Sequence, residues 1–460
     1  MTPVSKTHNQ LQAILTPVTF GPMKRLSSTS LAALPGSVRR PAFASEALKQ
    51  GILHLGIGAF HRAHQAVYTD DAIEAAGGEW GIVGVSMRQA TVATTLAEQD
   101  GLYTVETRDA ESRYRVIGCV RRTLTLPLEP DAVSAVMAEE GIHAVTLTIT
   151  EKGYCLGADG LDVSHPDIVH DLATPDRPRS ALGALVAGLE RRRRAGGAPV
   201  TIISCDNLTN NGPRLAAATV ELAERRDPAL ARWIRASAAF PETMVDSIVP
   251  ASDDFSRART DAVLGLADHA SVQRESFAQW VIEDKFAGPR PAWDKVGVEI
   301  VGAVQPYRQL KLHVLNACHS ALAYLGLACG HEYVRQAIAD PHLAGFLDAL
   351  IAEEVAPGLP DLPVAAYWAT TRKRFANPAI DHRLDQIAQD GPFKLAQRVF
   401  PLMIANRKAG LPVDRLGAIV QAWLVFAGKC PSVALADPGL FPDTFRDDTV
   451  LQAAILGKSA

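Results

Sequence analysis

Short apolar runs alternate with helical patterns through the first half of the chain. Runs typical of buried strands lie at 52–55, 80–86, 144–149 and 200–204, and helical patterns lie between them at 65–76, 131–140 and 166–187. Because parallel neighbouring strands need a crossover connection, usually a helix, this alternation predicts a parallel, doubly wound sheet. In such a sheet, ligands bind among the loops at the carboxyl ends of the strands.

A helical part follows the predicted sheet. From Val304 onward strand patterns nearly vanish, and helical patterns fit 306–329, 331–337, 340–354, 379–389, 392–407 and 414–427. The fold class is therefore predicted to be α/β, with a Rossmann-type doubly wound domain over 49–295 and a mainly α-helical domain over 296–460. Residues 1–48 are rich in Ser, Thr and Pro, and we expect them to form a partly mobile N-terminal extension.

The composition excludes several classes of partner. The net charge is −4, so there is no basic excess that would favour nucleic acid or an anionic membrane. Since no run of about 18 apolar residues occurs, no membrane-spanning helix is expected. The six cysteines are scattered without a C-x-x-C pattern, which favours reduced thiols in a cytoplasmic protein and argues against a zinc knuckle.

The first strand leads into a glycine-containing turn. The run 52–55 is followed by Gly56-Ile57-Gly58, and a helical pattern starts at Ala59 and Phe60. Two glycines allow the backbone to turn tightly and to approach a pyrophosphate, and the next helix points its N-terminus at that phosphate. The third glycine of the usual G-x-G-x-x-G pattern is missing. The turn therefore predicts either a dinucleotide site or a plain β–α turn.

Three further loops are predicted at the same edge of the sheet, over 86–90, 150–154 and 205–212. The second strand ends in Ser86-Met87-Arg88, without the acidic residue that binds the adenosine ribose of NAD. Arg88 either tolerates a 2′-phosphate or is simply solvated, so we predict NAD and do not exclude NADP. Glu151 and Lys152 lie in the loop 150–154 and are further candidates for cofactor binding.

One predicted helix, over 306–320, carries three polar residues on one side. Lys311, Asn316 and His319 fall within an arc of about 140° if the helix turns about 100° per residue. A lysine in an apolar pocket loses its proton near neutral pH and can act as a general base, and a carboxamide N–H can hold a carbonyl or alkoxide oxygen. These groups suit the oxidation of a secondary alcohol. The alternative is a surface helix whose Lys and His face water.

Two polar residues outside this helix are candidates for the same site. Asn207 follows the strand 200–204 and is either a second oxygen-holding carboxamide or the N-cap of a helix that starts near Pro213. Asp246 lies close to the apolar residues Val245 and Ile248 and is predicted to be a partly buried carboxylate that needs a cationic partner. A lysine base would be such a partner, and an ordinary surface salt bridge is the alternative.

At this point the sequence resembles the polyol-specific long-chain dehydrogenase/reductase family, also called the mannitol dehydrogenase family. The matching segments cover most of the chain between about residues 50 and 400, and the spacing Lys-x4-Asn-x2-His within them is specific. They are LGIGAFHRAHQAVYTDD (55–71), DGLYTVE (100–106), TITEKGY (148–154), SCDNLTNNG (204–212), MVDSIVP (244–250), QWVIEDKF (279–286), LKLHVLNACHS (310–320) and RFANPAI (374–380).

The resemblance implies a zinc-independent, NAD(P)-linked oxidation of a secondary alcohol. Lys311 is then the general base, and Asn207 and Asn316 hold the alkoxide oxygen. His319 orients substrate hydroxyls, and Asp246 supports the lysine. It also implies that Gly56, Gly58 and Phe60 lie against the cofactor, that no metal is bound, and that the protein is a monomer or homodimer acting on a small polyol or sugar acid.

Residues in the second half favour one branch of the family. Gln386 and Lys394 resemble the D-mannonate oxidoreductase (fructuronate reductase) branch, since mannitol enzymes tend to carry an arginine where Gln386 stands. Lys394 is expected to bind a substrate hydroxyl or carboxylate, and Arg374 and Arg383 are either further cations for a carboxylate or ordinary surface charges. Mannitol and arabinitol dehydrogenases remain alternatives.

The chain departs from the family pattern one turn before the lysine. Arg308 and Gln309 stand where the family often has a glutamate that relays the proton to solvent. Arg308 is expected either to lower the pKa of Lys311 through like charge or to place a cation for an anionic substrate. A non-catalytic nucleotide-binding regulator on the same fold is a remote alternative.

Overall fold

The computed structural model describes residues 23–157, 160–430, 434, 440–441 and 448–457. Within these residues the strands are, in chain order, β1 Val38–Arg39, β2 Gln50–Leu55, β3 Gly81–Ser86, β4 Tyr103–Arg108, β5 Arg113–Ile117, β6 Val120–Thr125, β7 Ala144–Leu147, β8 Val200–Ser204, β9 Ala238–Ala239, β10 Thr243–Asp246, β11 Val272–Glu275, β12 Gln279–Glu283 and β13 Glu299–Val301.

Helices connect the strands and make up most of the described second half. The α-helices are Ala59–Ala63, Gln65–Ala76, Thr91–Ala97, Pro130–Ala138, Pro166–Ala173, Ala181–Arg194, Asn211–Arg226, Pro228–Ser237, Asp254–Leu264, Gln305–Leu310, Ala317–Ala328, Val334–Ala339, Pro341–Leu350, Ala356–Gly358, Val364–Phe375, Leu384–Ile387, Gly391–Arg398, Phe400–Lys408, Asp414–Phe426 and Thr449–Leu456. Short 3-10 helices lie at Ser28–Ala33, Ser45–Ala47, Glu151–Tyr154 and Trp293–Val296, and π-helical segments at Lys311–Asn316 and Ile351–Val355.

The predicted doubly wound sheet is confirmed. Six parallel strands lie in the order β6-β3-β2-β7-β8-β9, so the chain moves outward from β2 in one direction and then returns to the other side through β7. Such a reversal leaves a crevice at the carboxyl ends of the two central strands. The turn after β2 and the loop after β7 line this crevice, and buried apolar side chains cover both faces of the sheet.

The alternating residues at 103–107 and 114–118 predict a hairpin inserted into the main sheet. The hairpin is confirmed, but its place in the fold differs from this expectation. Strands β4 and β5 pair antiparallel. They belong to a separate four-stranded sheet in the order β1-β5-β4-β11, whereas we had expected them inside the main sheet. The reason is that β1 and β11, from distant parts of the chain, supply the hydrogen-bonding partners on both sides of the hairpin.

Residues 23–48, which were predicted to belong to a partly mobile extension, contribute the strand β1 to this second sheet and pack against it. Leu26 and Val38 are buried in a small apolar cluster with Leu102 and Val116, and β1 pairs with β5. The Ser, Thr and Pro content misled the prediction, because the few apolar residues of this segment carry its packing. Residues 1–22 lie outside the described part of the chain.

A three-stranded sheet leads from the first half into the helical part. Its order is β10-β12-β13, and β10 ends at Asp246 while β13 lies just before the helix that starts at Gln305. Helices from Gln305 onward pack around one large apolar cluster that includes Leu322, Phe400 and Trp423, which confirms the mainly α-helical second half. Among the described residues, no helix has the length and apolar character needed to cross a membrane.

Three histidines are buried where β2 meets the first helices. His54 Nδ1 bonds Thr146 Oγ1 at 2.7 Å and His54 Nε2 lies 3.1 Å from the carbonyl of Gly56, so this ring fixes the glycine turn. The ring of His61 stacks on it with 3.4 Å between centroids, and His64 Nε2 lies 3.0 Å from the carbonyl of Gln279. Burial lowers the pKa of His54 and of His64 to about 3, and that of His61 well below its ordinary value.

These histidines predict a loss of stability in mild acid. Their pKa values in the folded protein lie below 6.5, so the unfolded chain binds more protons than the folded one between pH 6.5 and about 3. The contribution of these histidines to the free energy of unfolding is therefore complete above pH 6.5 and decreases as the pH falls below it. Each group contributes a slope of about 1.4 kcal/mol per pH unit. The free energy of unfolding is measured with urea at several pH values from 7.5 to 5. In His64→Gln it should fall less steeply with decreasing pH than in the wild type. The exposed control His342→Gln should not, and equal slopes in all three proteins would contradict the assignment.

Candidate active site

A π-helical segment carries the polar residues of the long helix. The helix predicted over 306–329 is confirmed as helical from Gln305 to Ala328, but Lys311–Asn316 is π-helical. In an α-helix Lys311 and Asn316 would be about 140° apart. In a π-helix hydrogen bonds connect residues five apart, so these two residues lie one turn apart. The change of winding therefore brings the amine and the carboxamide closer to one face than the sequence predicted.

The amine of Lys311 is buried and has two acceptors. Its Nζ donates to Asn207 Oδ1 at 2.5 Å and to the carbonyl of Val245 at 2.5 Å, and the residue is only 8% exposed. Burial lowers the pKa of Lys311, Arg374 and Arg398 lower it further by like charge, and Asp246 and Glu151 oppose the shift. A neutral amine has two N–H groups and one lone pair, so the two acceptors use both N–H groups and leave the lone pair for a ligand.

Asn207 is a partner of the lysine and not a helix cap. The helix after it is Asn211–Arg226 and its N-cap is Asn210, so the N-cap alternative for Asn207 is wrong. Asn207 Oδ1 accepts from Lys311. Its Nδ2–H group has no hydrogen bond to any described residue and is available to a ligand. The amide orientation is inferred from the hydrogen bond with Lys311.

Asp206, which the sequence analysis missed, joins two loops at the edge of the sheet. Its carboxylate accepts from the N–H groups of Ile149 and Thr150 at 2.9 and 3.0 Å and from the hydroxyl of Tyr154 at 2.8 Å. Burial raises the pKa of Asp206, and these hydrogen bonds oppose the rise. The loop after β7 is thereby tied to the loop after β8, directly beside Asn207.

Asp246 pairs with an arginine, whereas a lysine was expected. Arg374 donates to its two oxygens at 2.7 and 3.1 Å and to both oxygens of Glu275 at 3.0 and 2.7 Å. All three side chains are almost completely buried, so the alternative of a surface salt bridge is also wrong. The carboxylates raise the pKa of Arg374 above its ordinary value, although burial opposes this. Arg374 is fully paired and cannot serve as the cation for a substrate carboxylate that we considered.

His319 is buried one turn beyond Asn316. Its ring packs 4.4 Å from Phe375 and 5.2 Å from His382 between centroids, and burial holds its pKa well below the ordinary value, so the ring is neutral at pH 7. Its Nε2 is buried and has no hydrogen-bond partner among the described residues. An imidazole nitrogen without a partner at a cavity wall is available to a ligand hydroxyl.

Two cavities meet at Lys311. The larger has a volume of about 670 Å³ and is lined by Phe60, His319 and Gln386; the smaller has about 250 Å³ and is lined by Glu151, Arg308 and Lys394. Lys311, Asn207 and Asn316 line both cavities, and Asp246 lines the larger one. The structure thus brings the predicted catalytic residues together and places Gln386 and Lys394 in different cavities beside them.

A third cavity, of about 500 Å³, lies above the glycine turn and is lined by Gly56, Gly58, Arg88 and Lys152. Gly56 has φ +98°, and a Cβ there would lie 2.1 Å from the carbonyl oxygen of Thr148, so the turn requires glycine. A Cβ on Gly58 would have no neighbour closer than 3.8 Å, so this glycine leaves open space beside the helix that starts at Ala59. The cavity fits a dinucleotide phosphate, and the exposed Arg88 has no acidic partner in the part of the chain that the structure describes.

Three cations of the second half differ in their partners, since Arg383 binds carboxylates whereas Lys394 and Arg398 bind neutral groups. Arg383 binds Asp385 and Glu332, so it too is excluded as an unpaired cation for a substrate. Lys394 Nζ donates to the carbonyl of Ile387 at 3.0 Å, and its pKa is lowered by burial and by Arg398. Arg398, which the sequence analysis missed, donates to Ser320 Oγ at 3.1 Å and lines the smaller cavity.

Arg308, which stands where the family often has a glutamate, has an acidic partner in the structure. Arg308 forms an ion pair with Glu242, the residue before β10, and both side chains are mostly buried. A carboxylate therefore lies near the position where the family often has its glutamate, but another part of the chain supplies it. Burial lowers the pKa of Arg308, although the guanidinium stays charged at neutral pH.

One group of possible metal ligands lies outside this site. The donor atoms of Cys155, His165 and Asp167 lie within 4.8 Å of one another, and Cys155 and Asp167 line the cavity above the glycine turn. His165 Nδ1 accepts from the N–H of Asp167 and so caps the helix Pro166–Ala173. The group does not include Lys311 or any residue that contacts its amine.

Both halves of the chain match family models of known proteins. Residues 50–295 match the family model of the mannitol dehydrogenase Rossmann domain, and residues 303–441 match that of the mannitol dehydrogenase C-terminal domain. The D-mannonate oxidoreductase of Escherichia coli (strain K12) is 39% identical over 84% of this chain and 82% of its own length. A mannitol 2-dehydrogenase of Cereibacter sphaeroides is 39% identical over 87% of this chain and 86% of its own length.

A solved structure has the same architecture. It is the Pseudomonas fluorescens mannitol 2-dehydrogenase in a ternary complex with NAD and D-mannitol, which superposes with a TM-score of 0.84 at 32% identity and covers 94% of this chain and 95% of that one. The similarity extends over both the sheet and the helical part.

The buried ion pairs of Arg374 predict a large effect on stability. Arg374→Met leaves the carboxylates of Asp246 and Glu275 buried without a cation, and we expect the free energy of unfolding to fall by about 3–5 kcal/mol. Arg372→Met, which removes an exposed arginine paired with Asp348, should cost at most about 1 kcal/mol. Denaturant unfolding of both variants tests this, and equal losses would show that the buried network is not a major source of stability.

Proposed function

The chain belongs to the mannitol dehydrogenase family, a family of NAD-dependent oxidoreductases that act on CH–OH groups, and on this premise we propose that it oxidises a secondary alcohol of a sugar acid to the ketone. D-mannonate, with D-fructuronate as its product, is our best candidate for the substrate. The observation that carries the proposal is the buried Lys311 amine with two acceptors and one position left toward the cavities.

In this proposal Lys311 is the general base. Its two hydrogen bonds hold the amine in place, and burial favours the neutral form whose lone pair accepts the hydroxyl proton of the substrate. In the reverse direction the ammonium donates the same proton to the ketone oxygen. The oxidation should therefore become faster as the pH rises through the pKa of Lys311, which lies below the ordinary 10.5.

Asn207 and Asn316 stabilise the oxygen that becomes negatively charged. Both line the two cavities that meet at Lys311, and a carboxamide N–H donor fixed in a buried site stabilises an alkoxide more than water does. His319 offers its neutral Nε2 to a neighbouring hydroxyl. Asp246 touches Arg374 and not Lys311, so we propose that it positions the strand whose Val245 carbonyl holds the lysine.

The glycine turn supports NAD as the cofactor. Gly56, Gly58, Ala59, Arg88 and Lys152 line or adjoin the cavity above the turn, whereas Phe60 and Glu151 lie in the cavities next to Lys311. When bound, NAD supplies the hydride acceptor of the reaction. The exposed Arg88 leaves room for the 2′-phosphate of NADP.

Two residues support a sugar acid over a neutral polyol. Gln386 lines the larger cavity where the mannitol enzymes tend to carry arginine, and Lys394 lines the smaller cavity, where its cation can bind a substrate carboxylate or hydroxyl. The D-mannonate oxidoreductase and the mannitol 2-dehydrogenase are both 39% identical to the chain, so these similarities agree with either choice. A mannitol 2-dehydrogenase or another polyol dehydrogenase, such as one for arabinitol, is the second candidate, favoured by the architecture shared with the mannitol enzyme.

If Lys311 is the general base, its replacement should nearly abolish turnover without changing the binding of NADH. Lys311→Met keeps the length of the side chain but removes the proton acceptor, so we expect turnover to fall by roughly 10²- to 10⁴-fold while the affinity for NADH is unchanged. Lys373→Met, on an exposed face of another helix, is the control and should match the wild type. Fluorescence titration with NADH and steady-state rates measure both properties. Turnover retained in Lys311→Met would refute the assignment.

The substrate is tested by following NADH formation at alkaline pH with D-mannonate, D-altronate, D-mannitol, D-arabinitol and D-sorbitol, each with NAD and with NADP. We expect D-mannonate with NAD to have the highest kcat/KM. Preference for a neutral polyol would favour the second candidate. Tight binding of NADH without turnover of any substrate would point to the remote alternative, a nucleotide-binding regulator.

A further inference from the structure

Arg108 is the last residue of strand β4, and its side chain lines the larger cavity together with Lys311 and Asn316. In the parallel pair of β4 with β11 it lies opposite Glu275, one of the two carboxylates that bind Arg374. The Asn377 side chain donates to the carbonyl of Arg108 at 3.3 Å from the helical part. Arg108 is therefore fixed where the second sheet, the cavity and the helical part meet.

The other charged groups of this cavity wall have partners, apart from the lysine discussed above. Each of them either forms an ion pair or accepts a backbone hydrogen bond. These contacts are Arg259 to Glu106 at 2.6 Å, Arg383 to Asp385 at 2.9 Å, Asp246 to Arg374 at 2.7 Å, Asp381 to Arg335 at 2.8 Å, and Asp253 to the N–H of Ser256 at 2.7 Å.

Arg108 differs from this set. Among the described residues it has no carboxylate partner, and its side-chain contact is from Nη1 to Gln273 Oε1 at 3.4 Å, which is long for a hydrogen bond. Gln273 Oε1 also accepts from Arg259 at 3.3 Å. The Nε of Arg108 is buried and has no partner among the described residues. A half-buried guanidinium with unused donors is costly unless an anion satisfies them.

We propose that Arg108 binds the carboxylate of the substrate, and that this residue makes the site selective for open-chain sugar acids over neutral polyols. The proposal rests on the proposed function, since it assumes that the alcohol next to Lys311 belongs to the same molecule. The planar, two-oxygen carboxylate matches the fork of a guanidinium, and a cavity of about 670 Å³ is large enough for a small ligand. Lys394, in the smaller cavity, is then left to bind a hydroxyl.

The test compares Arg108→Met with Arg113→Met. Arg113 is an exposed arginine on the neighbouring strand of the same sheet and lies outside the cavity. With NAD as cofactor, we expect Arg108→Met to lower kcat/KM for D-mannonate roughly 10- to 100-fold, mainly through KM, and to leave kcat/KM for D-mannitol unchanged. Arg113→Met should change neither value. Arg108→Lys, which keeps the charge but not the fork, should lie between wild type and Arg108→Met, and it serves if the methionine variant does not fold.

The outcomes separate this proposal from the proposed function. If D-mannonate is oxidised and Arg108→Met retains the wild-type kcat/KM, or loses the same factor with D-mannitol, the role of Arg108 is refuted while the proposed function stands. If the wild type oxidises only neutral polyols, both the sugar-acid substrate and the role of Arg108 are refuted. Selective loss of D-mannitol 1-phosphate oxidation, with no activity on acids, would refute the carboxylate and assign a phosphate to the same arginine.

Discussion

The buried guanidinium of Arg374 connects the parts of the molecule that form the site. It comes from the helix Val364–Phe375 and binds Asp246 at the end of β10 and Glu275 at the end of β11, while the ring of Phe277 packs 4.0 Å away. The residue before Asp246 is Val245, whose carbonyl accepts from Lys311. Because buried ion pairs stabilise only when their geometry is satisfied, this network fixes the strand that holds the lysine.

The sequence predicted those features that depend on local pattern. The alternation of strands and helices gave the parallel sheet, since β2, β3, β7 and β8 are continuous buried runs, and the spacing of Lys311, Asn316 and His319 gave the polar face of the long helix. The partner of Asp246 could not be predicted, because Arg374 lies 128 residues away and an arginine at a basic helix end is usually a solvated surface charge. The four-stranded sheet was missed for the same reason, since its outer strands come from residues 38–39 and 272–275.

The π-helical winding of Lys311–Asn316 is the clearest case of a feature without a local signal. A π-helix is rare and usually occurs as a short segment at a functional site, and its sequence here, KLHVLN, is compatible with an ordinary α-helix. Contacts from a neighbouring helix support it, since Arg398 donates to the carbonyl of Asn316 and its own carbonyl lies 3.0 Å from His313 Nδ1. The winding is therefore set by tertiary packing around the segment, which also sets the position of the amine relative to the carboxamide.

The protonation of Lys311 places a condition on where the charge of a substrate can lie. Burial together with Arg374 and Arg398 lowers its pKa, while the negative charges of Asp246 and Glu151 raise it. An unpaired carboxylate in the same cavity would act like a further acidic residue and would favour the charged ammonium, which cannot accept a proton. A carboxylate bound to a guanidinium has a much weaker field at the lysine, because the two charges nearly cancel. An arginine of the same cavity that neutralises the substrate carboxylate would thus contribute to affinity and keep the base neutral at the same time.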